Sequence, residues 1–117
     1  MVTLPIKRDI EIPQGDSWRL PFAIRLPDLA AFGFTSHDLV GCTARAQIRP
    51  GFMGEVIAEM DIDYIDRATR TFRPWLPATE TTGDLEGVWD LQIVEDATGW
   101  TRTFYRGSVS MVRQVSR

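Results

Sequence analysis

Residues 87–95 and 100–112 both alternate in hydrophobicity, and a link of four residues separates them. The first segment places its larger apolar side chains on one side of an extended chain: Trp89, Leu91 and Ile93. A period of two is typical of a β-strand that buries one face. The link 96–99 begins with Asp and ends with Gly, which is typical of a type I turn closed by a left-handed residue. The second segment is rich in aromatic and β-branched residues. The sequence therefore predicts a β-hairpin over residues 87–112.

Similar alternation continues through the rest of the chain. It predicts further strands at residues 6–12, 18–26, 42–48, 55–60 and 71–76. Pro21 interrupts the second of these, and its missing amide hydrogen predicts a sheet edge or a bulge there. In the segment 55–60 the side chains predicted to face inward are Val56, Ala58 and Met60. Short helical turns are expected after Asp28 and across residues 77–85.

This spacing predicts an all-β fold of about seven strands with one or two short helical turns. An antiparallel β-sandwich, Ig-like or closer to a small barrel, accommodates such strands, and the sequence leaves that choice open. No amphipathic segment of helical length separates the strands, which excludes a parallel α/β fold. The length of 117 residues predicts one domain, 1–117, with a polar tail at 112–117.

Residues 27–38 form an irregular apolar segment, which we call the excursion. Asp28 is placed to cap one helical turn, and Gly33 is placed to end it. Leu29, Phe32 and Phe34 either tuck under the sheets or form an exposed contact. The tucked arrangement is favoured because exposed apolar patches are uncommon on monomers.

Composition excludes several classes of protein. The net charge is −3 and the arginines are scattered, so nothing predicts a basic face for nucleic acid. Cys42 is the single cysteine, which excludes an intrachain disulfide and a cysteine-based zinc site. No secretory signal and no apolar run long enough to span a bilayer is present. We expect a soluble protein made in the cytoplasm, with no nucleic-acid or membrane partner.

No pattern predicts catalysis, a cofactor or a metal. Asp61, Asp63 and Asp66 resemble the start of a calcium loop, but the required glycine and distal glutamate are missing. His37 lies next to Ser36 and Asp38, and adjacency in sequence does not build a triad. The sequence therefore predicts a protein that is not an enzyme.

Seven residues are instead candidates for partner binding. The arginines lie on outward strand faces, the two tryptophans lie near strand ends, and the two phenylalanines belong to the excursion. They are Phe32, Phe34, Trp75, Trp100, Arg45, Arg49 and Arg102. Arginine and tryptophan are enriched at protein interfaces. Trp18 and Trp89 alternate with polar residues and are predicted to be core.

Five segments carry a resemblance to known proteins. They are residues 14–18 (Gln-Gly-Asp-Ser-Trp), 39–49, 77–82, 87–91 (Gly-Val-Trp-Asp-Leu) and 106–112. In their order they resemble a family of small virion proteins of tailed bacteriophages. That family comprises the N-terminal β-domain of baseplate upper proteins and related Ig-like tail or head attachment proteins. The excursion departs from the family pattern because it is more apolar than a simple hairpin loop.

The resemblance implies a structural protein of the virion, assembled in the host cytoplasm and without catalytic residues. Its expected role is an adaptor or attachment module in the tail, baseplate or neck, docking on other virion proteins. Its copies would form a homo-oligomer or follow the particle's symmetry. We expect no fibre or receptor-binding part after residue 117, which favours an adaptor over a fibre anchor. Decoration of the capsid is the alternative in the same class. In a different class, a carbohydrate- or ligand-binding module would use Trp75 and Trp100 as a stacking platform.

Overall fold

The computed structural model describes residues 4–51, 54–81 and 85–112, and it confirms the all-β fold. Two 3-10 helices, Leu29–Phe32 and Ala78–Glu80, accompany nine strands in these residues. The strands are β1 (Ile6–Lys7), β2 (Ile10–Pro13), β3 (Trp18–Arg19), β4 (Ile24–Arg25), β5 (Cys42–Arg49), β6 (Ala58–Asp66), β7 (Thr71–Leu76), β8 (Gly87–Glu95) and β9 (Thr101–Val112). Val112, the first residue of the predicted tail, belongs to β9, and the other tail residues, 113–117, lie outside the described part, as do residues 82–84 of the predicted helical turn.

The strands form one curled sheet in the order β1-β9-β8-β5-β6-β7-β3. β2 also pairs with β9, and β4 also pairs with β7. The first half of β6 pairs with β5 and its second half pairs with β7, so β6 carries the chain from one layer of the sandwich to the other. The predicted antiparallel sheet is wrong at one edge, where β1 and β2 run parallel to β9. The connection between these strands is long, so no tight turn fixes their relative direction as antiparallel.

The central hairpin is confirmed. β8 and β9 pair from Gly87 opposite Val109 to Val94 opposite Thr101. The amide of Gly99 donates to the carbonyl of Glu95 over 2.7 Å, and Gly99 has the left-handed φ of 77° that the turn requires. The same turn orients Trp100, which immediately precedes β9.

The sheet splits where β6 leaves β5, and two side chains fill the gap. Beyond Met60, β6 no longer pairs with β5, which leaves the backbone groups of β5 that face this side without a strand partner. The amide of Ala44 donates instead to the hydroxyl of Tyr64 over 3.0 Å. The guanidinium of Arg67 lies 3.8 Å from the centre of the Tyr64 ring and donates to the carbonyl of Cys42 over 2.9 Å.

The core lies between the layers and includes both tryptophans predicted for it. Trp89 is fully buried and Trp18 is nearly so, together with the small inward residues of β5. The indole nitrogen of Trp89 donates to the carbonyl of Arg8 over 2.7 Å, which satisfies its buried N–H. Val56 was predicted to face inward, but it is exposed and precedes β6.

The predicted strand 18–26 forms only at its ends, as β3 and β4. Its burial still alternates, and it lies at the edge of the sheet as Pro21 predicts. Pro74 on the facing strand contributes to the interruption, because it has no amide hydrogen. Pro21 follows Leu20, whose amide faces β7, so the Pro21 nitrogen faces away from that strand. The amide of Leu20 donates to the carbonyl of Pro74, and no return bond from a proline nitrogen is available.

Candidate partner-binding surfaces

The structure distributes the seven candidate residues over three places. Phe32, Phe34, Trp100 and Arg102 come together where the excursion packs against the start of β9. Arg45 and Arg49 lie on the outer face of β5, and Trp75 lies on β7 in a groove of its own. The three places differ in how much of each side chain is free to meet a partner.

Trp100, Phe32 and Arg102 form a surface cluster that we call the Trp100 patch. The Trp100 side chain is 45% exposed, and its indole nitrogen donates to the carbonyl of Phe32 over 3.0 Å. The Arg102 guanidinium lies 5.8 Å from the centre of the Phe32 ring. Gly33 has a φ of 96°, and a Cβ there would lie 2.5 Å from the Trp100 ring. Glycine at this position therefore makes room for the indole against the excursion.

Phe34 belongs to the core rather than to the patch. It is 4% exposed and lies 6.2 Å from Phe104, while Phe32 meets the same ring edge-on at 5.3 Å. The tucked arrangement of the excursion is thus confirmed for Phe34 and for Leu29, which is fully buried. Phe34 is not available as an exposed contact, whereas Phe32 is partly exposed.

The local structure of the excursion follows the predicted capping residues. The amide of Ala30 donates to a carboxylate oxygen of Asp28 over 3.0 Å at the start of the 3-10 helix. Gly33 ends the helix in the left-handed conformation. Since both ends are set by these residues, the segment presents Phe32 at one position relative to β9.

Glu95, at the end of β8, anchors the excursion to the central hairpin. Its carboxylate accepts hydrogen bonds from the Thr35 hydroxyl at 2.7 Å, the Thr35 and Ser36 amides at 3.1 Å, and the Thr98 hydroxyl at 2.7 Å. Bonds from Thr35 and then Thr98 hold the pKa of Glu95 below its ordinary value, against the opposing effect of burial. The residue is 4% exposed.

Glu95 is not among the candidate residues predicted from the sequence. Its place in the alternation of β8 could have identified it, because Glu95 lies on the same inward face as Trp89, Leu91 and Ile93. A carboxylate on an inward face must find donors, and loop amides and hydroxyls supply them here.

The two arginines of β5 differ in their contacts. Arg49 donates to the Asp90 carboxylate and to the Gln47 side chain, at 2.9 and 2.7 Å. The side chains of this ion pair are only 23% and 14% exposed, so Arg49 serves the sheet itself. Arg45 lies 3.7 Å from Glu59 in a pair that is about half exposed on both sides. Of the two, only Arg45 remains accessible to a partner.

Trp75 lies in an open groove of about 680 Å³, which we call the Trp75 groove. Its lining residues are Ser17, Trp18, Arg19, Ile62, Asp63, Arg73 and Trp75. The Trp75 side chain is 38% exposed. Trp100 does not line this groove and lies instead against Phe32 and Gly33, so the two rings do not form the single stacking platform that the ligand-binding alternative expects.

Several of the residues weighed for metal or catalytic chemistry have local structural contacts. His37 lies 2.9 Å from Asp28, and this hydrogen bond is the main cause that lowers the pKa of the Asp28 carboxyl. The Ser36 hydroxyl donates to the carbonyl of Asp38 rather than approaching the imidazole. Asp66 accepts from the amide of Ala68 in the turn before β7. Burial raises the pKa of the Cys42 thiol.

Two further observations concern residues 4–51, 54–81 and 85–112 taken together. In these ranges no three or more His, Cys, Asp or Glu side chains are arranged to hold a metal ion. No helix found there is both long enough and apolar enough to cross a membrane.

No protein-family model matches the chain, and no curated protein matches it significantly. The function of the protein is therefore inferred from its three candidate surfaces and from the resemblance of the sequence segments.

Proposed function

We propose that the protein is a non-enzymatic structural protein of a tailed-bacteriophage virion. It acts as an adaptor or attachment module in the tail, baseplate or neck and docks on other virion proteins through the Trp100 patch. The observation that carries the docking role is the patch itself, where an exposed indole, an arginine and a partly exposed phenylalanine meet. The virion setting comes from the segments that resemble attachment proteins.

The composition of the Trp100 patch matches that of interface hot spots, which are enriched in tryptophan and arginine. Its members come from segments 68 residues apart, so the contact depends on the folded domain. The Glu95 hydrogen bonds hold the excursion in place before any partner arrives. A preorganised surface loses less side-chain and loop entropy on binding than a mobile one.

The sheet edges favour docking by side chains over docking by strand addition. β1, β3 and β4 are two residues long, and β2 ends at Pro13. Short edge strands and proline are the features by which proteins discourage edge-to-edge pairing. A partner that approaches through the Trp100 patch avoids these edges.

The proposal is tested by complementation of a phage in which this coding sequence is disrupted. The double variant Trp100→Ala, Arg102→Ala is expected to fold with a melting temperature near that of the wild type and to be lost from purified particles. Trp75→Ala is the matched control, because it removes another exposed tryptophan and is expected to be incorporated. Full incorporation of the folded double variant would refute the patch as the docking site. A copy distribution over the whole head would instead favour capsid decoration.

A further inference from the structure

The Trp75 groove is a second surface, separate from the Trp100 patch, and its chemistry is different. Trp75 on β7 pairs with Arg19 of β3 on one side and with Asp61 of β6 on the other. The next outward position on β7 is Arg73, which pairs with Asp63 of β6. An exposed aromatic ring thus lies among positively and negatively charged side chains at the edge of the sheet.

The polar groups of this groove are left free to meet a ligand. In the described part of the chain, the charged groups of Arg19 and Asp63 form no ion pair or hydrogen bond. Arg73 uses its Nε to donate to the carbonyl of Leu20 over 2.6 Å, which orients the guanidinium and leaves its terminal nitrogens available. Asp63 and Arg73 are direct neighbours across the strands and nevertheless form no ion pair in these residues.

The two indoles of the groove also keep an unused donor. Trp89 and Trp100 each donate their ring N–H to a backbone carbonyl. Within the described residues, the indole nitrogens of Trp18 and Trp75 donate to no protein acceptor. Tyrosine and tryptophan normally find a partner for their polar atom when they are buried or bound. An incoming ligand that carries acceptors would supply one.

We infer that the Trp75 groove binds a neutral oligosaccharide. The apolar face of a pyranose ring packs on the Trp75 indole, and its hydroxyls accept from Arg19 and Arg73 and donate to Asp63. A few placed polar groups beside an aromatic wall are typical of small-molecule sites, whose volumes run from about 300 to 1,000 Å³. The volume of about 680 Å³ falls in this range, and the open shape leaves room for a chain of sugar units.

The charge arrangement selects a neutral ligand. A carboxylate or phosphate would approach Arg19 and Arg73 but would also face Asp63, with Asp61 beside the ring. A cation would be attracted by Asp63 but repelled by Arg19 and Arg73. A hydroxyl is both donor and acceptor, so one neutral sugar can satisfy groups of both signs.

The test combines a glycan array of neutral and acidic oligosaccharides with NMR of the full chain labelled at its indole nitrogens. Maltoheptaose, cellohexaose and chitohexaose are the solution probes. We expect at least one neutral glycan to shift the Trp75 indole signal and leave that of buried Trp89 unchanged. Trp75→Ala is expected to weaken binding about tenfold, in line with the loss of one aromatic packing face. Trp100→Ala is the matched control and is expected to bind like the wild type.

Three outcomes would overturn the inference. They are binding confined to acidic glycans, binding that Trp75→Ala leaves intact, and no neutral glycan that shifts the Trp75 signal. If the last result came with loss of Trp75→Ala from phage particles, the groove would be a protein interface. The NMR measurement uses the wild-type chain, so the inference stays testable even if a variant fails to fold.

Discussion

Gly107→Ala tests how β1, β2 and the central hairpin are held together. Gly107 pairs with Trp89 across β8 and β9, and it is buried. A Cβ at this position would lie 2.5 Å from the carbonyl carbon of Arg8 and 3.1 Å from the amide nitrogen of Asp9. The Arg8 carbonyl is the acceptor for the Trp89 indole, so the missing side chain makes the room for that hydrogen bond.

The size of the effect follows from what must move. The Arg8–Asp9 backbone has to retreat, which strains the N-terminal pairing with β9 by about 1–3 kcal/mol. The retreat also leaves the buried Trp89 N–H without an acceptor, at a further cost of about 1–3 kcal/mol. We therefore expect a loss of about 3 kcal/mol in the free energy of unfolding. For 117 residues the entropy of unfolding is roughly 0.25 kcal/mol/K, so Tm falls by about 12 °C.

Thermal and urea denaturation of Gly107→Ala, followed by circular dichroism, measure this loss. Ser110→Ala is the matched control, since Ser110 is an exposed residue of the same strand. Trp89→Phe in the Gly107→Ala background is expected to cost less than the sum of the single changes, because the indole hydrogen bond is lost only once. A Gly107→Ala variant that melts within about 2 °C of the wild type would refute the reasoning.

Three further changes test other parts of the structure. The pKa of Glu95 is lowered by folding, so the stabilisation from its charged form is present above the unfolded pKa and is lost as pH falls through the folded one. Glu95→Gln should therefore weaken amide-exchange protection of the excursion already at neutral pH, and unchanged protection would contradict this. Arg49→Ala should lower stability by about 2 kcal/mol, because it leaves the largely buried Asp90 carboxylate without its cation. Arg45→Ala should change stability by less than about 0.5 kcal/mol, and equal denaturation midpoints for the two variants would argue against the distinction. Phe34→Asp should unfold the domain because it buries a carboxylate in the core, and a folded variant by circular dichroism would show that the ring is not core.

The parts of the fold that local pattern determines could be predicted from the sequence. The hairpin turn follows from Gly99, and the excursion's helical turn follows from Asp28 and Gly33. Burial also alternates through residues 18–26 as the hydrophobicity predicts. The extent of β3 and β4 could not be predicted, because it also depends on Pro74 of a strand that lies far away in sequence.

The rest of the fold, and the grouping of the candidate residues on its surface, depend on which strands become neighbours. The periodicity of the sequence does not give this information. The parallel pairing of β1 and β2 with β9 joins the two ends of the described chain. The grouping of Trp100 with Phe32 depends on the Glu95 hydrogen bonds, and that of Trp75 with Arg19 depends on sheet order. The sequence predicted which tryptophans are exposed, whereas the residues that surround each of them could be identified only from the structure.

The most direct test of the virion proposal is antibody labelling and copy counting of this chain in purified particles of the phage that encodes it. The proposal predicts a few copies confined to the tail, baseplate or neck. Many copies spread over the head would move the protein to capsid decoration. Complete absence from the particles would contradict the virion role and leave the Trp75 groove as the remaining basis for a function.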